Sequence, residues 1–360
     1  MAGYARGTRL PCDFPDLTSI TTAATYVFAN AFYAAQPKYN ELMTNETPER
    51  YFPNLKSTQA NYAFNYAFYQ YRPHHNKRLE FSELTTIGGT YAFSYAATQS
   101  EFQSVAFPKL SSVTFATTTN GQCTFDRICY YCQDLTSVEF PELTGIYNNY
   151  TFEYAFERCT KLPRLEFPKL KTIGTTTNGN YYGTGVFHSA CQNSIALTSV
   201  SFPELTSILT SGTNHFYNFM GSNNVLPSGQ AAAAPTCHCY FPKLQTWRFN
   251  AANSTFANMN VQGTASYRRK YTLHIGAEAP ARSVSVGTTA ANAMFYNSRG
   301  LTDVYLHSIS AITGTAMFNN CYELTAIHFA ADYEDSIKAS NGWSTLWGRG
   351  AGAATVYFDL

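Results

Sequence analysis

One motif recurs through most of this chain and restricts the possible fold more than any other feature. Its clearest copy runs Leu135-Thr136-Ser137-Val138-Glu139-Phe140-Pro141-Glu142-Leu143-Thr144-Gly145-Ile146, followed by Phe152, Phe156 and Cys159 before Leu162 opens the next unit. The Phe position returns at Phe14, Phe52, Phe81, Phe107, Phe140, Phe167, Phe202 and Phe241, with Pro next in every copy except the one carrying Ser82. Three residues on stand Leu17, Leu55, Leu84, Leu110, Leu143, Leu170, Leu205 and Leu244. Three further on stand Ile20, Ile87, Val113, Ile146, Ile173, Ile208 and Trp247, with Thr58 as the exception. Units repeated this faithfully stack on one another, because none can bury its apolar side alone.

Each spacing has a physical meaning. Val138 and Phe140 are two apart and share one side of a strand, while Ser137 and Glu139 point to the other. Pro141 has no N–H to give to a ladder and ends that strand. Leu143 and Ile146, three apart, fit a short second strand or a 3-10-like turn. Phe152, Phe156 and Cys159 have the four-then-three spacing of one helical face, as do Phe125, Cys129, Cys132 and Phe64, Phe68, Tyr71. The expected fold is a repeat solenoid, mainly β, with short parallel strands and a single helical or 3-10 turn per unit.

The pattern weakens toward the end of the chain. Leu273 with Ile275, then Leu301, Val304, Leu306, Ile309 and Ile312, then Leu324, Ile327 and Phe329 keep the spacing without the Pro. About eleven irregular repeats are expected, in one domain over 1–360 with atypical capping units at about 1–13 and 330–360. Anchor spacing ranges from 26 residues (Phe81 to Phe107) to 39 (Phe202 to Phe241), so the extra residues leave the solenoid as loops. Such insertions are Gln36 to Glu49, Gly174 to Tyr182, and Leu209 to Ala234.

Composition narrows the functional classes. Charged residues make up 13% and net charge is +1, with no basic surface of the size a nucleic acid needs. The short basic runs, His74-His75 with Lys77-Arg78 and Arg268-Arg269-Lys270, read as solvated turns. No run has the length of a transmembrane helix. The start, Met1-Ala2-Gly3-Tyr4-Ala5-Arg6, lacks the apolar core of a secretion signal. That fits either a cytoplasmic protein or a part of a longer exported one. The cysteines number nine, so at least one stays outside any intramolecular disulfide.

The run Ala155-Phe156-Glu157-Arg158-Cys159, then Leu162, Leu165, Phe167-Pro168, Leu170 and Ile173-Gly174, resembles the BspA-like class of leucine-rich repeats. The resemblance covers the chain from about Phe14 to Phe329. It implies an extracellular or cell-surface module of adhesion or recognition, as a fragment of a longer exported protein lacking its signal here. The partner implied is a host or matrix protein or a glycan. A receptor-binding part of a phage or other particle, or a structural spacer, are the alternatives. The oligomeric state is left open.

Candidate chemistry weighs little against packing. Cys129-Tyr130-Tyr131-Cys132 has CxxC spacing, but Cys129 takes the slot of Phe156 and Cys132 that of Cys159. In Cys237-His238-Cys239 both thiols turn to one side of a strand and the imidazole to the other, which opposes joint metal ligation. Gly88-Gly89 lacks the strand-to-helix setting of a phosphate cradle. No nucleophile elbow, P-loop or zinc-hydrolase motif is present, so no catalytic, cofactor-binding or metal-binding residue is assigned. The functional signal lies in tyrosines outside the repeated apolar slots. Tyr147, Tyr150, Tyr181, Tyr182 and Tyr217, set among Asn, could offer rigid contact area with adaptable hydrogen bonds, or could pack the loops onto the solenoid.

Overall fold

The computed structural model describes residues 14–35, 51–73, 77–113, 123–177, 180–182, 185–208, 215–221, 233–244, 246–247, 256, 258–259, 268–276, 295–307, 309, 316–340, 343–345 and 354–360. The expected cap at 1–13 and the insertions Gln36 to Glu49 and most of Leu209 to Ala234 lie outside them.

Each unit contributes to three columns that run along the solenoid. The first is built from strands such as Arg78–Glu80, Ser104–Ala106 and Ser137–Glu139, paired in parallel and in register. It continues through Arg164–Glu166, Ser199–Ser201, Cys237–Phe241, Tyr271–Ile275, Leu301–Leu306, Ala326–Phe329 and Thr355–Phe358, again all parallel. A tight turn follows, closed in the clearest unit by the Leu143 amide donating to the Phe140 carbonyl at 3.3 Å. The second column is a sheet of eight two-residue strands, from Ser19–Ile20 to Thr246–Trp247, with the Ile position as its inward residue. The Leu143 to Ile146 spacing thus resolves as a short second strand.

The third column is where local sequence spacing was least informative. The segments carrying Phe64 and Phe68, or Phe152 and Phe156, do have 3-10-type bonds, with the amides of Asn65 and Ala67 donating to the carbonyls of Tyr62 and Phe64. Every fourth residue, however, is left-handed: Tyr62 at φ 55°, Tyr66 at 54° and Gln70 at 53°. The alternate amides of Tyr62, Phe64, Tyr66, Phe68 and Gln70 therefore turn outward. They donate to the carbonyls of Thr90, Ala92, Ser94, Ala96 and Thr98 in the next unit at 2.6–3.2 Å. A helix keeps its amides to itself, whereas a stack presents carbonyls at the rung spacing, and here the stack wins. Left-handed backbone is unfavourable for a Tyr side chain, and the inter-unit bonds hold it there.

The core consists of two interleaved phenylalanine ladders. The anchors Phe14, Phe52, Phe81, Phe107, Phe140, Phe167, Phe202 and Phe241 stack at 5.1–5.7 Å between ring centroids. Ile275, Leu306, Phe329 and Phe358 continue that column in strand register. The anchors among the described residues thus number twelve against the expected eleven or so, the last lying inside the closing stretch. The second ladder runs Phe28, Phe64, Phe93, Phe125, Phe152, Phe187, Phe216 and Phe256, each ring meeting the first ladder edge-on. Offset stacks and edge contacts both match the ring quadrupole.

The last slot of the turn segment accounts for three of the cysteines. The thiols of Cys132, Cys159 and Cys321 donate to the carbonyls of Ala97, Cys129 and Phe295 in the preceding unit at 2.9–3.1 Å. Ser194 and Ser298 do the same with their hydroxyls. The slot therefore suits a small buried donor in these units, whereas a buried Tyr71 fills it in an earlier one. All eight cysteines among the described residues are free and buried.

Close approach between units also explains Gly88-Gly89. A Cβ on Gly89 would lie 2.0 Å from the Ala60 carbonyl oxygen, whereas one on Gly88 would meet the tip of the Gln59 side chain. Backbone cannot yield as a flexible side chain can. Gly89→Ala is expected to cost about 1–3 kcal/mol, and Gly88→Ala at most about 0.5 kcal/mol. Urea denaturation of the two variants checks this, and equal costs would contradict it.

After the strand Ala326–Phe329 the chain forms a 3-10 turn, Ala331–Tyr333, and a short helix, Glu334–Lys338, before the strand Thr355–Phe358. No helix among the described residues is long and apolar enough to cross a membrane.

Candidate functional site

Because every unit repeats the same backbone, outward residues at one slot fall into columns. Among the described residues, columns containing stacked aromatic rings stand on two faces.

On the turn face, left-handed residues project from the core. Tyr26, Tyr62 and Tyr91 stack at 4.7 and 5.1 Å. Four residues along, Tyr66 stacks on Tyr95 at 4.6 Å. The Arg127 guanidinium then lies 5.3 Å from the Tyr95 ring and 4.3 Å from the Tyr154 ring, held also by Asp126 at 2.8 Å. Each such cation–π contact contributes roughly 0.5–2 kcal/mol, the more so when half-buried. Burial pushes the Asp126 carboxyl up to about 6 despite Arg127, and that of Glu157 up to about 7 despite Arg158. Glu153, His188 and Tyr217 form a parallel column, with His188 Nδ1 3.0 Å from Glu153 and the Tyr217 ring stacked on His188 at 5.0 Å.

The five tyrosines singled out by sequence fall in three successive units. Tyr150 and Tyr217 belong to the turn face and are half-buried, the Tyr150 ring lying over Gly185. Tyr147, also half-buried, folds back over Gly145, where an added Cβ would sit 2.3 Å from its hydroxyl. Tyr181 and Tyr182 lie on an antiparallel hairpin, Thr175–Thr177 with Asn180–Tyr182, and their side chains are outside the described residues.

The outer face of the first sheet carries a column that sequence reasoning missed. Tyr240, His274, Tyr305, His328 and Tyr357 are in register on adjacent strands and stack at 4.7, 4.1, 4.4 and 4.8 Å. Burial, helped by His238, His307 and His328 nearby, lowers the His274 imidazole to about 4 and keeps it neutral at physiological pH. His328 contacts Asp359 at 2.9 Å, and His238 contacts Thr272 at 2.9 Å. The signal was available: each ring immediately precedes an anchor, as in Tyr240-Phe241 and His328-Phe329. In earlier units the same slot holds Glu80, Ala106, Glu139, Glu166 and Ser201.

That column opens, at Tyr240, onto a groove of about 460 Å³ lined by Pro163, Arg164, Leu165, Glu166, Thr198, Ser199, Ser201 and Tyr240. Within Tyr240's own strand, Cys237–Phe241, Cys237 and Cys239 are buried while His238 points outward, so the three cannot converge on one ion. No cluster of three or more metal-ligating side chains occurs among the described residues.

Parallel strand and turn columns around phenylalanine and leucine ladders define a leucine-rich repeat solenoid. The family model for the BspA type leucine rich repeat region matches in six copies over residues 63–218 and 284–340, and the chain belongs to that family. Among solved structures, a T. pallidum leucine rich repeat protein (TpLRR) is 16% identical, with 78% of this chain and 90% of that one covered and a TM-score of 0.32. A leucine-rich repeat protein from Bacteroides ovatus is 12% identical, with 85% and 82% covered and a TM-score of 0.21. No curated protein matches.

Proposed function

We propose that the chain is a non-enzymatic recognition module of an exported, surface-located protein, binding a host or matrix protein or glycan through its solenoid faces and inserted loops. The observation that carries this reading is the registered display of side chains. Tyrosine, histidine, arginine and carboxylate groups stand in registered columns on two faces of a scaffold whose interior is largely apolar packing. Rigid aromatic contact area loses little entropy on binding, and a repeated frame lets many weak contacts act together. Membership of the BspA type family supports interaction as the broad role.

The test is a binding titration of the purified chain against panels of host surface and matrix proteins and of glycans, beside a thermal melt. In this reading Tyr147, Tyr150, Tyr181, Tyr182 and Tyr217 contribute to the recognition surface. Replacing Tyr150 and Tyr217 together with Ala is expected to weaken binding at least about tenfold, or 1.4 kcal/mol, in a chain that remains folded. Unchanged affinity with a large fall in melting temperature would show them to be packing groups only.

A further inference from the structure

We infer that the groove at Tyr240 is a saccharide site that seats one hexopyranose ring against the open face of the Tyr240 side chain. The inference rests on the recognition reading and names the ligand class of one site within it.

The argument starts from how the aromatic column ends. His274, Tyr305 and His328 have rings stacked on both sides, so both faces are covered and only their edges meet solvent. Tyr240 differs. One face lies on His274 at 4.7 Å, while its register partner on the other side is Ser201, too small to cover a ring. The side chain is 37% exposed. The groove lies on that open side, with Ser199 and Ser201 on the adjacent strand and Arg164 and Glu166 one strand further.

The charged pair supplies a second, independent observation. Arg164-Leu165-Glu166 repeats the tripeptide Arg78-Leu79-Glu80 at the same place in the unit. In the earlier copy the charges are mutually consumed: Arg78 Nε lies 2.6 Å from Glu80, and its two Nη atoms lie 2.6 and 2.8 Å from the Glu139 carboxylate. In the later copy both side chains are exposed, and among the described residues neither has an ion-pair or hydrogen-bond partner. The same sequence is thus closed at one rung and left open where the groove lies.

A free aromatic face, a planar donor fork, a carboxylate acceptor and two serine hydroxyls match a pyranose group by group. The C–H bonds on one face of the sugar are electropositive and meet the negative face of the ring. The hydroxyls around its rim are both donors and acceptors, and charged partners make the stronger hydrogen bonds to them. An apolar ligand would leave Arg164 and Glu166 without use, and a simple anion would be repelled by Glu166. A single such site binds weakly, and its strength would come from many chains or many sugars acting together.

The experiment uses the full chain with methyl glycosides of glucose, galactose, mannose and N-acetylglucosamine as probes, read by ligand-observed saturation-transfer NMR. Transfer to the ring C–H protons of at least one glycoside is expected. It should fall at least about fivefold in Tyr240→Ala, persist in Tyr240→Phe, and fall in both Arg164→Gln and Glu166→Gln. A parallel arm measures binding of the chain to enzymatically deglycosylated matrix proteins. No transfer from any glycoside, or transfer that Tyr240→Ala leaves intact, overturns the saccharide site. Binding of a deglycosylated protein alongside that result leaves the recognition reading standing, whereas silence in both arms overturns the two together.

Discussion

Phe140→Ala is expected to lower stability by about 3–5 kcal/mol, the cost of deleting a fully buried aromatic ring whose surroundings cannot collapse into the space. The Phe140 ring stacks on Phe107 at 5.2 Å and Phe167 at 5.7 Å, and meets Phe125 and Phe152 edge-on at 5.4 and 5.2 Å. All four neighbours are themselves held by strand and turn bonds to adjacent units, so none can move in without breaking register. In a linear array each unit contacts only its neighbours, and a defect at one rung weakens two interfaces at once. The loss should be local. Hydrogen exchange is expected to show early opening of residues between Phe107 and Phe167, with urea unfolding broadened toward separate transitions of the two arms. A single cooperative transition with a shift below about 1 kcal/mol would show that the ladder is not what holds the stack.

Arg269→Ala is expected to cost a similar amount, about 3–5 kcal/mol, for a different reason. Arg269 is fully buried, and its two Nη atoms donate to the carbonyls of Ser194 and Leu197, reaching past the intervening strand Cys237–Phe241. Burial lowers the guanidinium from its usual range, and the nearby Cys237, Cys191 and Cys239 act in the opposite direction. Removing the side chain leaves the Leu197 carbonyl without its donor and the Ser194 carbonyl with the Leu197 amide alone, as well as an empty volume. Arg269→Lys should recover little, since a single ammonium lacks the fork that spans both carbonyls. Arg269→Met separates the two effects by restoring volume alone. Urea midpoints of the three variants decide the point: a Met variant as stable as the parent would mean that the carbonyl fork contributes nothing.

The Arg269 position also shows where sequence reasoning stops. Arg268-Arg269-Lys270 reads as a solvated basic turn, yet Arg268 pairs with Glu323 at 3.0 Å and lies 4.7 Å from the Tyr322 ring, while its neighbour is buried whole. Nothing within the tripeptide distinguishes the two arginines. Their fates depend on carbonyls more than seventy residues earlier, in Arg269's case, and on a carboxylate 55 residues later in the case of Arg268.

The repeat itself was legible because its causes are local. A strand alternation, a proline that cannot enter a ladder, and Phe, Leu and Ile at constant offsets determine which side of each unit is apolar, and an apolar side repeated at every unit can be buried only by stacking. The buried Cys slot followed from the same offsets, which left a short second strand and a 3-10-like turn both open after the proline. The sequence by itself therefore determined the solenoid, its core residues and the packing role of Cys129, Cys132 and Cys159. What only the tertiary structure decided are relations between units. The left-handed residues at every fourth position of the turn segments exist because carbonyls of the next unit are there to receive their amides. The same holds for the display: Tyr240 has an open ring face because its register partner is Ser201, and Arg164 has no ion-pair partner among the described residues where Arg78 has two. Register joins residues 23 to 39 positions apart, as in Leu306 with Phe329 and Phe202 with Phe241, across loops of unequal length, and no local spacing carries that information.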